Sequence, residues 1–151
     1  MIEIFTDGAC RGNPGPGGYG VILKYNEHRK ELFEGFRLTT NNRMELLGVI
    51  VGLEALTKEN QSVIIYSDSQ YVVNALEQGW LNKWQQKNFK KVKNTDLWIR
   101  FLKIYSLHKI KFKWIKGHAG HVENERCDEL AVKAATSKNL KIDRGYEDNQ
   151  E

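Results

Sequence analysis

The sequence predicts a single α/β domain: one mixed β-sheet with helices on its faces. Apolar, β-branched runs come first and are followed by strands alternating with helical stretches, the order that gives a mixed sheet with helical layers. The chain has 151 residues, enough for one compact core and too few for two comfortable domains. Apolar residues make up 40% and charged residues 28%, which is neither a disordered nor a membrane composition. The sequence contains no internal repeat and no linker.

Ile2 to Thr6 is a β-branched strand ending at Asp7. RGNPGPGG at 11–18 is a turn-rich loop. GYGVILKYN and KELFEGFRL follow, joined at Glu27–His28 as a hairpin. Asn42 with Glu45 three residues later marks a helix start, and the helix runs through LLGVIVGLEALTK. SVIIYS, Ser62 to Ser67, is a short strand expected to be buried on both faces. A helix begins at Ser69, and a second helical stretch carries Trp80 and Trp84. The lysine-rich loop NFKKVKN precedes a helix capped by Thr95, and KIKFKWI alternates as the last strand. GHAGHVEN is a loop, and Asn124 starts a helix through Ala135. From Ser137 the tail is polar and acidic, so residues 1–136 form the domain and 137–151 a tail expected to be partly disordered.

The first ten residues have neither a basic n-region nor a long apolar stretch, so no secretory signal is expected. No apolar run approaches the roughly 20 residues of a membrane span. Cys10 and Cys127 do not suggest a disulfide framework, and a reducing, cytoplasmic setting is the simplest expectation. The net charge is +4, unevenly spread. Residues 80–116 hold eleven Lys/Arg and the one acid Asp96, a net +10 that leaves −6 elsewhere. Trp80, Trp84, Trp98 and Trp114 all lie in this segment. Trp98 and Trp114 are expected in the core. Trp80 and Trp84, ringed by Lys83, Gln85, Gln86 and Lys87, suit contact with a polyanion that has flat or sugar surfaces.

Four carboxylates sit where strands end or helices begin: Asp7, Glu45, Asp68 and Asp128. Functional groups in α/β sheets gather at the carboxyl ends of strands. If the first strand and SVIIYS are parallel neighbours, Asp7 and Asp68 lie side by side and repel unless a hard cation neutralises them. Carboxylates without His or Cys partners suit Mg²⁺ or Mn²⁺ rather than Zn²⁺. Each has a plainer reading: Glu45 in a capping box, Asp68 or Asp128 at a helix N-terminus, Asp7 in a turn. Only their combination with the basic segment favours chemistry. Gly15 to Gly20 satisfies G-x-G-x-x-G, but a strand follows where a dinucleotide site needs a helix. His118, His121 and Cys127 lack the paired spacing of structural zinc sites. His118, between glycine-containing turns, is better suited to proton transfer near neutrality, unless it is simply a surface loop residue.

Four blocks, IFTDGACRGNPGPGGYG, TTNNRMEL, YSDSQYVV and KGHAGHVENERCDELA, closely resemble the successive signatures of type 1 ribonuclease H, in that family's order and spacing across residues 1 to about 136. The resemblance implies a ribonuclease H-like fold, a five-stranded mixed sheet whose second strand is antiparallel to the others. It implies a metal-dependent endonuclease that hydrolyses the RNA strand of RNA–DNA hybrids, leaving 5′-phosphate and 3′-hydroxyl ends. Asp7, Glu45, Asp68 and Asp128 would hold two Mg²⁺ ions, with Mn²⁺ as a substitute. One ion would activate the attacking water and the other would stabilise the departing 3′ oxygen. His118 resembles the family's loop histidine, which assists proton transfer or product release. Glu125, beside Asn124, is a weaker supporting candidate.

The resemblance also implies the substrate contacts. Cys10, Gly12 and Asn13 match the loop that meets the RNA strand. Asn41, Glu45 and Gln70 match residues at ribose hydroxyls and base edges in the minor groove, where the 2′-OH distinguishes RNA from DNA. Thr40, with Asn13, matches a pocket for a DNA-strand phosphate. Trp80 and Trp84 match a channel suited to deoxyribose, and Lys83, Lys87, Lys90 and Lys91 a basic protrusion. Besides the RNA–DNA hybrid, neither a membrane nor an obligate protein partner is expected, and the chain is expected to be a monomer. This sequence departs from many members in a shorter lysine-rich loop at 88–94 and in Val122, where proline is frequent. The competing readings are a DNA-cutting relative on the same fold, such as an integrase or resolvase, and an inactive hybrid-binding module. The first would not carry the Asn13, Gln70 and Trp80/Trp84 contacts together, and the second has no need of four carboxylates.

Overall fold

The computed structural model describes residues 1–116 and 121–149. Ile2–Cys10 forms β1, Gly15–Tyr25 β2 and His28–Thr39 β3. Asn41–Glu54 is α1, Ser62–Ser67 β4, Gln70–Glu77 α2, Trp80–Gln86 α3 and Thr95–Tyr105 α4. Lys109–Trp114 is β5, Val122–Ala135 α5 and Arg144–Glu147 α6. The five strands run in the order β3-β2-β1-β4-β5. β2 is antiparallel to β1 and β3, whereas β1, β4 and β5 run parallel. This is the expected mixed sheet. The parallel β1–β4 pairing, Phe5 opposite Tyr66, carries Asp7 and Asp68 to the same end.

Strand alternation divides the core in two. Ile4, Val21 and Ile65 are fully buried on the face covered by α1. Ten of the fourteen residues of α1 are buried, so the helix is a central core element and carries no polar stripe. Trp98 and Phe101 bring α4 against the same cluster. On the opposite face Ile22 meets Cys127 and Leu130 of α5, with Phe5 alongside. Glycines permit this contact: a Cβ on Gly20 would lie 2.2 Å from the Cys127 carbonyl oxygen. Among the described residues no helix is long and apolar enough to cross a membrane.

Several expectations are corrected. β1 continues past Asp7 to Cys10, and β2 starts at Gly15 inside the expected loop, because the two strands pair in register from Glu3–Lys24 to Cys10–Gly17. The first helix is capped by Thr40, whose hydroxyl accepts from the Arg43 N–H, while Asn42 is exposed inside the helix; the helix stops at Glu54. Asn94, at φ 60°, is the cap position of α4, and Thr95 is its first helical residue, donating its hydroxyl to the Val92 carbonyl. The last helix begins at Val122 rather than Asn124. Trp114 is 42% exposed, outside the core. β4 is buried on one face only: Val63, Ile65 and Ser67 are enclosed, whereas Ile64 and Tyr66 are partly open, because α5 packs over β1, β2 and β3 and leaves β4 largely uncovered.

The tail expected to be loose is docked as far as it is described. Lys141 bridges to Phe36 alongside β3, and Arg37 clamps Glu147 of α6 in a bidentate pair. Asp143 is buried beneath both. Arg43 donates to it from Nε and Nη2, at 2.8 and 2.9 Å, and Thr39 donates its hydroxyl at 2.6 Å. Arg43 also grips Asp96 at 2.8 and 2.7 Å, tying the start of α1 to the start of α4. Burial alone would lift the Asp96 carboxyl, but the hydrogen bonds and charge of Arg43 hold it below the usual carboxylate range.

Candidate active site

Gly8 is the residue that lets the site close. Its Cα faces α1 so tightly that a Cβ would stand 2.6 Å from the Glu45 nitrogen and 2.8 Å from the Met44 carbonyl carbon. This approach brings Glu45, in the second turn of α1, against Asp7 on β1. Asp68 arrives from the end of β4. One ligand oxygen from each of Asp7, Glu45 and Asp68 lies within 4.8 Å of the others. Asp128 on α5 is close enough for its charge to act on Asp7, which makes it a fourth carboxylate beside the cluster. The plainer capping roles do not hold: Ser69 caps α2, with its hydroxyl accepting from the Val72 N–H, and Thr40 caps α1.

Electrostatics makes the cluster unusual. Asp7 is 3% exposed and Glu45 7%. Burial, then the charge of Asp68 and the contacts with Asp128, pushes Asp7 up to about 9, although the Gly8 N–H donates to its Oδ1 at 3.0 Å. Burial and the charges of Asp7 and Asp68 hold Glu45 well above the carboxylate range. Glu45 Oε2 is buried with no hydrogen-bond partner among the described residues. A folded chain that buries like charges together and leaves one acceptor unsatisfied has a place for a hard cation. The all-oxygen donor set fits such an ion, and the acidic group supports divalent metal binding. The G-x-G-x-x-G decoy lies in β2 and opens no helix. Cys127 is fully buried, its thiol donating to the Phe5 carbonyl at 3.2 Å, while His121 is exposed, so the structure does not join them in a zinc site.

The other candidates surround this cluster. Cys10 ends β1, its thiol donating to the Gly12 carbonyl at 2.8 Å. Gly12 takes φ 80°, a conformation glycine adopts freely. Asn13 is exposed, and its Oδ1 accepts from the Asn41 N–H at 3.1 Å, so the first loop and the start of α1 are brought together. Thr40 and Asn13 line an 840 Å³ cleft with Lys93, Asn94, Thr95 and Tyr146. Gln70 is exposed at the first turn of α2. Trp80 is 37% exposed; Trp84 packs against it at 6.2 Å and against the buried Trp98 at 5.3 Å. Lys83, Lys87, Lys90 and Lys91 are exposed on α3 and the turns after it. Glu125 is exposed on α5, and Asn124 is buried, donating to the Tyr66 carbonyl at 3.4 Å. His118 lies outside the described residues. Sequence reasoning missed Arg43 and the tail residues of the cleft; a lone arginine within TTNNRMEL gives no sign that its partners lie some fifty and a hundred positions away.

A profile of the ribonuclease H family matches residues 1–136. The chain belongs to the ribonuclease H family. It is 60% identical over 147 residues to the ribonuclease H of Desulforamulus reducens, covering 94% of this chain and 92% of that one. The crystal structure of LC9-RNase H1, a type 1 ribonuclease H with the type 2 active-site motif, superposes with a TM-score of 0.80 at 32% identity over 89% of this chain and 71% of that chain. LC11-RNase H1, solved in complex with an RNA/DNA hybrid, gives 0.60 at 26% identity, covering 89% and 96%. The enzyme class is therefore that of the ribonucleases H, with a sheet order and a carboxylate cluster that agree.

Proposed function

We propose that this ribonuclease H is a monomeric, cytoplasmic, Mg²⁺-dependent endonuclease that cuts the RNA strand of RNA–DNA hybrids, leaving 5′-phosphate and 3′-hydroxyl ends. The convergence of Asp7 and Glu45, both buried, with the half-buried Asp68, on a chain of this family, is the observation that carries the reading. With Asp128 these side chains would hold two ions. Bound there, divalent ions supply the attacking water's activation and neutralise charge on the departing oxygen. The chain's own residues set the rest. The Gly8 N–H fixes the orientation of the Asp7 carboxylate, and α1 holds Glu45 rigidly because it is core along most of its length. Cys10, Gly12, Asn13, Asn41 and Gln70 would meet the RNA strand, where the 2′-OH is read. Thr40 and Asn13 would take a DNA phosphate in the cleft, Trp80 and Trp84 would lie against deoxyribose, and Lys83, Lys87, Lys90 and Lys91 would contact the backbone. His118 is assigned proton transfer by its place in the signature block.

An Asp68→Asn variant tests the reading, because it removes metal-binding charge with little change in volume. Cleavage should disappear while hybrid binding persists. Retained turnover would remove Asp68 from the site.

A further inference from the structure

Only part of the basic segment 80–116 is taken up by the proposed hybrid contacts. Lys109, Lys111 and Lys113 stand apart from them, on β5 at the edge of the sheet. All three are exposed, and none is in an ion pair among the described residues. Alternate residues of a strand share a face and lie roughly 6.6 Å apart. The register places Lys109 beside Ser62, Lys111 beside Ile64 and Lys113 beside Tyr66. Glu3 and Phe5 of β1 continue the same face. Phe5 and Tyr66 stack at 4.8 Å with an interplanar angle of 8°. Lys24 sits over the outer face of Phe5 at 6.0 Å and Lys113 over that of Tyr66 at 5.8 Å.

This is the face on which α5 stops short. It leaves a strip about two strand spacings wide, roughly 10 Å. Asp7, two residues beyond Phe5 on β1, and Asp68, two residues beyond Tyr66 and just past the end of β4, lie at the same end, so the strip leads from the carboxylate cluster. An edge strand can carry lysines merely to block pairing with other sheets. That role does not call for a row of ammonium groups on the broad face, in line with a phosphodiester-binding site and with an aromatic pair holding one of them in place.

We propose that this open β4–β5 face is a second nucleic-acid contact, holding single-stranded RNA that continues the RNA strand beyond the hybrid. The inference rests on the proposed function, which puts the RNA strand at the carboxylates. The strip is wide enough for one strand and too narrow for a duplex. Its charge complements phosphate, and the faces of Phe5 and Tyr66 are occupied by each other and by lysines. The contact is therefore to the backbone, without base preference.

The test measures binding by fluorescence anisotropy in chelator, where no cleavage can occur. The probes are a blunt hybrid, the same hybrid with a single-stranded RNA extension, and the same hybrid with a DNA extension. The wild type should bind the RNA-extended hybrid several-fold more tightly than the blunt one. K109Q/K111Q/K113Q should lose that preference, and its salt slope on the extended hybrid should fall by about 2, at roughly 0.7 per phosphate neutralised on a single strand. The arginine triple K109R/K111R/K113R should keep both. Cleavage of the blunt hybrid in Mg²⁺ should be unchanged in either variant. An equal loss on blunt and extended hybrids, or no loss on either, overturns the proposal, and a preference for the DNA extension alone overturns the assignment to RNA. A wild type that prefers the RNA extension yet cuts nothing in Mg²⁺ would refute the nuclease reading and leave this contact standing.

Discussion

Replacing Asp143 with alanine removes the centre of the clasp that holds the tail to the domain. Arg43 would lose two hydrogen bonds of 2.8 and 2.9 Å, Thr39 would lose its 2.6 Å bond, and α6 would lose the side-chain cap accepted from the Tyr146 N–H. Arg43 is 2% exposed and cannot turn to water for compensation. It keeps Asp96, whose side chain is 39% exposed. Stripping one partner from a buried ion pair costs about 3–5 kcal/mol, and the surviving Asp96 contact places this case near 3 kcal/mol. For a chain of this size that is a drop in Tm of about 6–12 °C. Thermal and urea unfolding measure it directly, with Asp148→Ala as the control because Asp148 is exposed. The control should stay within about 0.5 kcal/mol. If the two variants unfold together, the tail is not held by this clasp and the reasoning fails.

Four further outcomes follow from the same geometry. Gly8→Ala should cost about 1–3 kcal/mol and most of the activity, since its Cβ would stand 2.6 Å from the Glu45 nitrogen; a fully active, equally stable variant would show that the contact is slack. Neutralising Lys83, Lys87, Lys90 and Lys91 together should weaken hybrid binding and lower its salt slope by up to about 3–4, and an unchanged slope would place the electrostatic contact elsewhere. Asp7 is raised by burial and by Asp68, to about 9, so its contribution to the stability of the metal-free protein is fully present below the unfolded carboxyl value of about 3.9 and is lost as pH rises toward 9. Mg²⁺ should accordingly raise Tm more at pH 8.5 than at pH 5.5, and equal shifts would contradict the assignment of the carboxylates as ligands. Asp96 has the opposite sign: held low by Arg43, it contributes stability above about pH 4 that disappears as pH falls through its depressed value, and Asp96→Asn should flatten the acid side of the stability curve.

The strands and long helices were legible because their signal is local. β-branched runs, the hairpin and the amphipathic α4 each declare themselves within a dozen residues. Asp7 and Asp68 could be placed at one end of the sheet only on the condition that the two apolar strands pair in parallel, which the sequence does not fix and the structure shows. Glu45 was harder: its place depends on Gly8 allowing α1 to lie against β1, a contact between residues 37 positions apart. Helix caps were missed by one or two residues, since Asn42 is intrinsically a better cap than Thr40 and tertiary packing overrides that preference. The contacts of the tail were not legible, because its composition suggests disorder, whereas a buried pair, Arg43–Asp143, joins residues 100 apart. β4 was expected to be covered on both faces because a short apolar run does not reveal where a helix from elsewhere in the chain will stop.

The most direct test of the central claim uses end-labelled RNA presented as single strand, RNA duplex and RNA–DNA hybrid, each with Mg²⁺ and with chelator. The account predicts Mg²⁺-dependent cutting of the RNA strand in the hybrid alone, with 5′-phosphate products. Cutting of DNA, or hybrid binding without cutting in Mg²⁺, would contradict it.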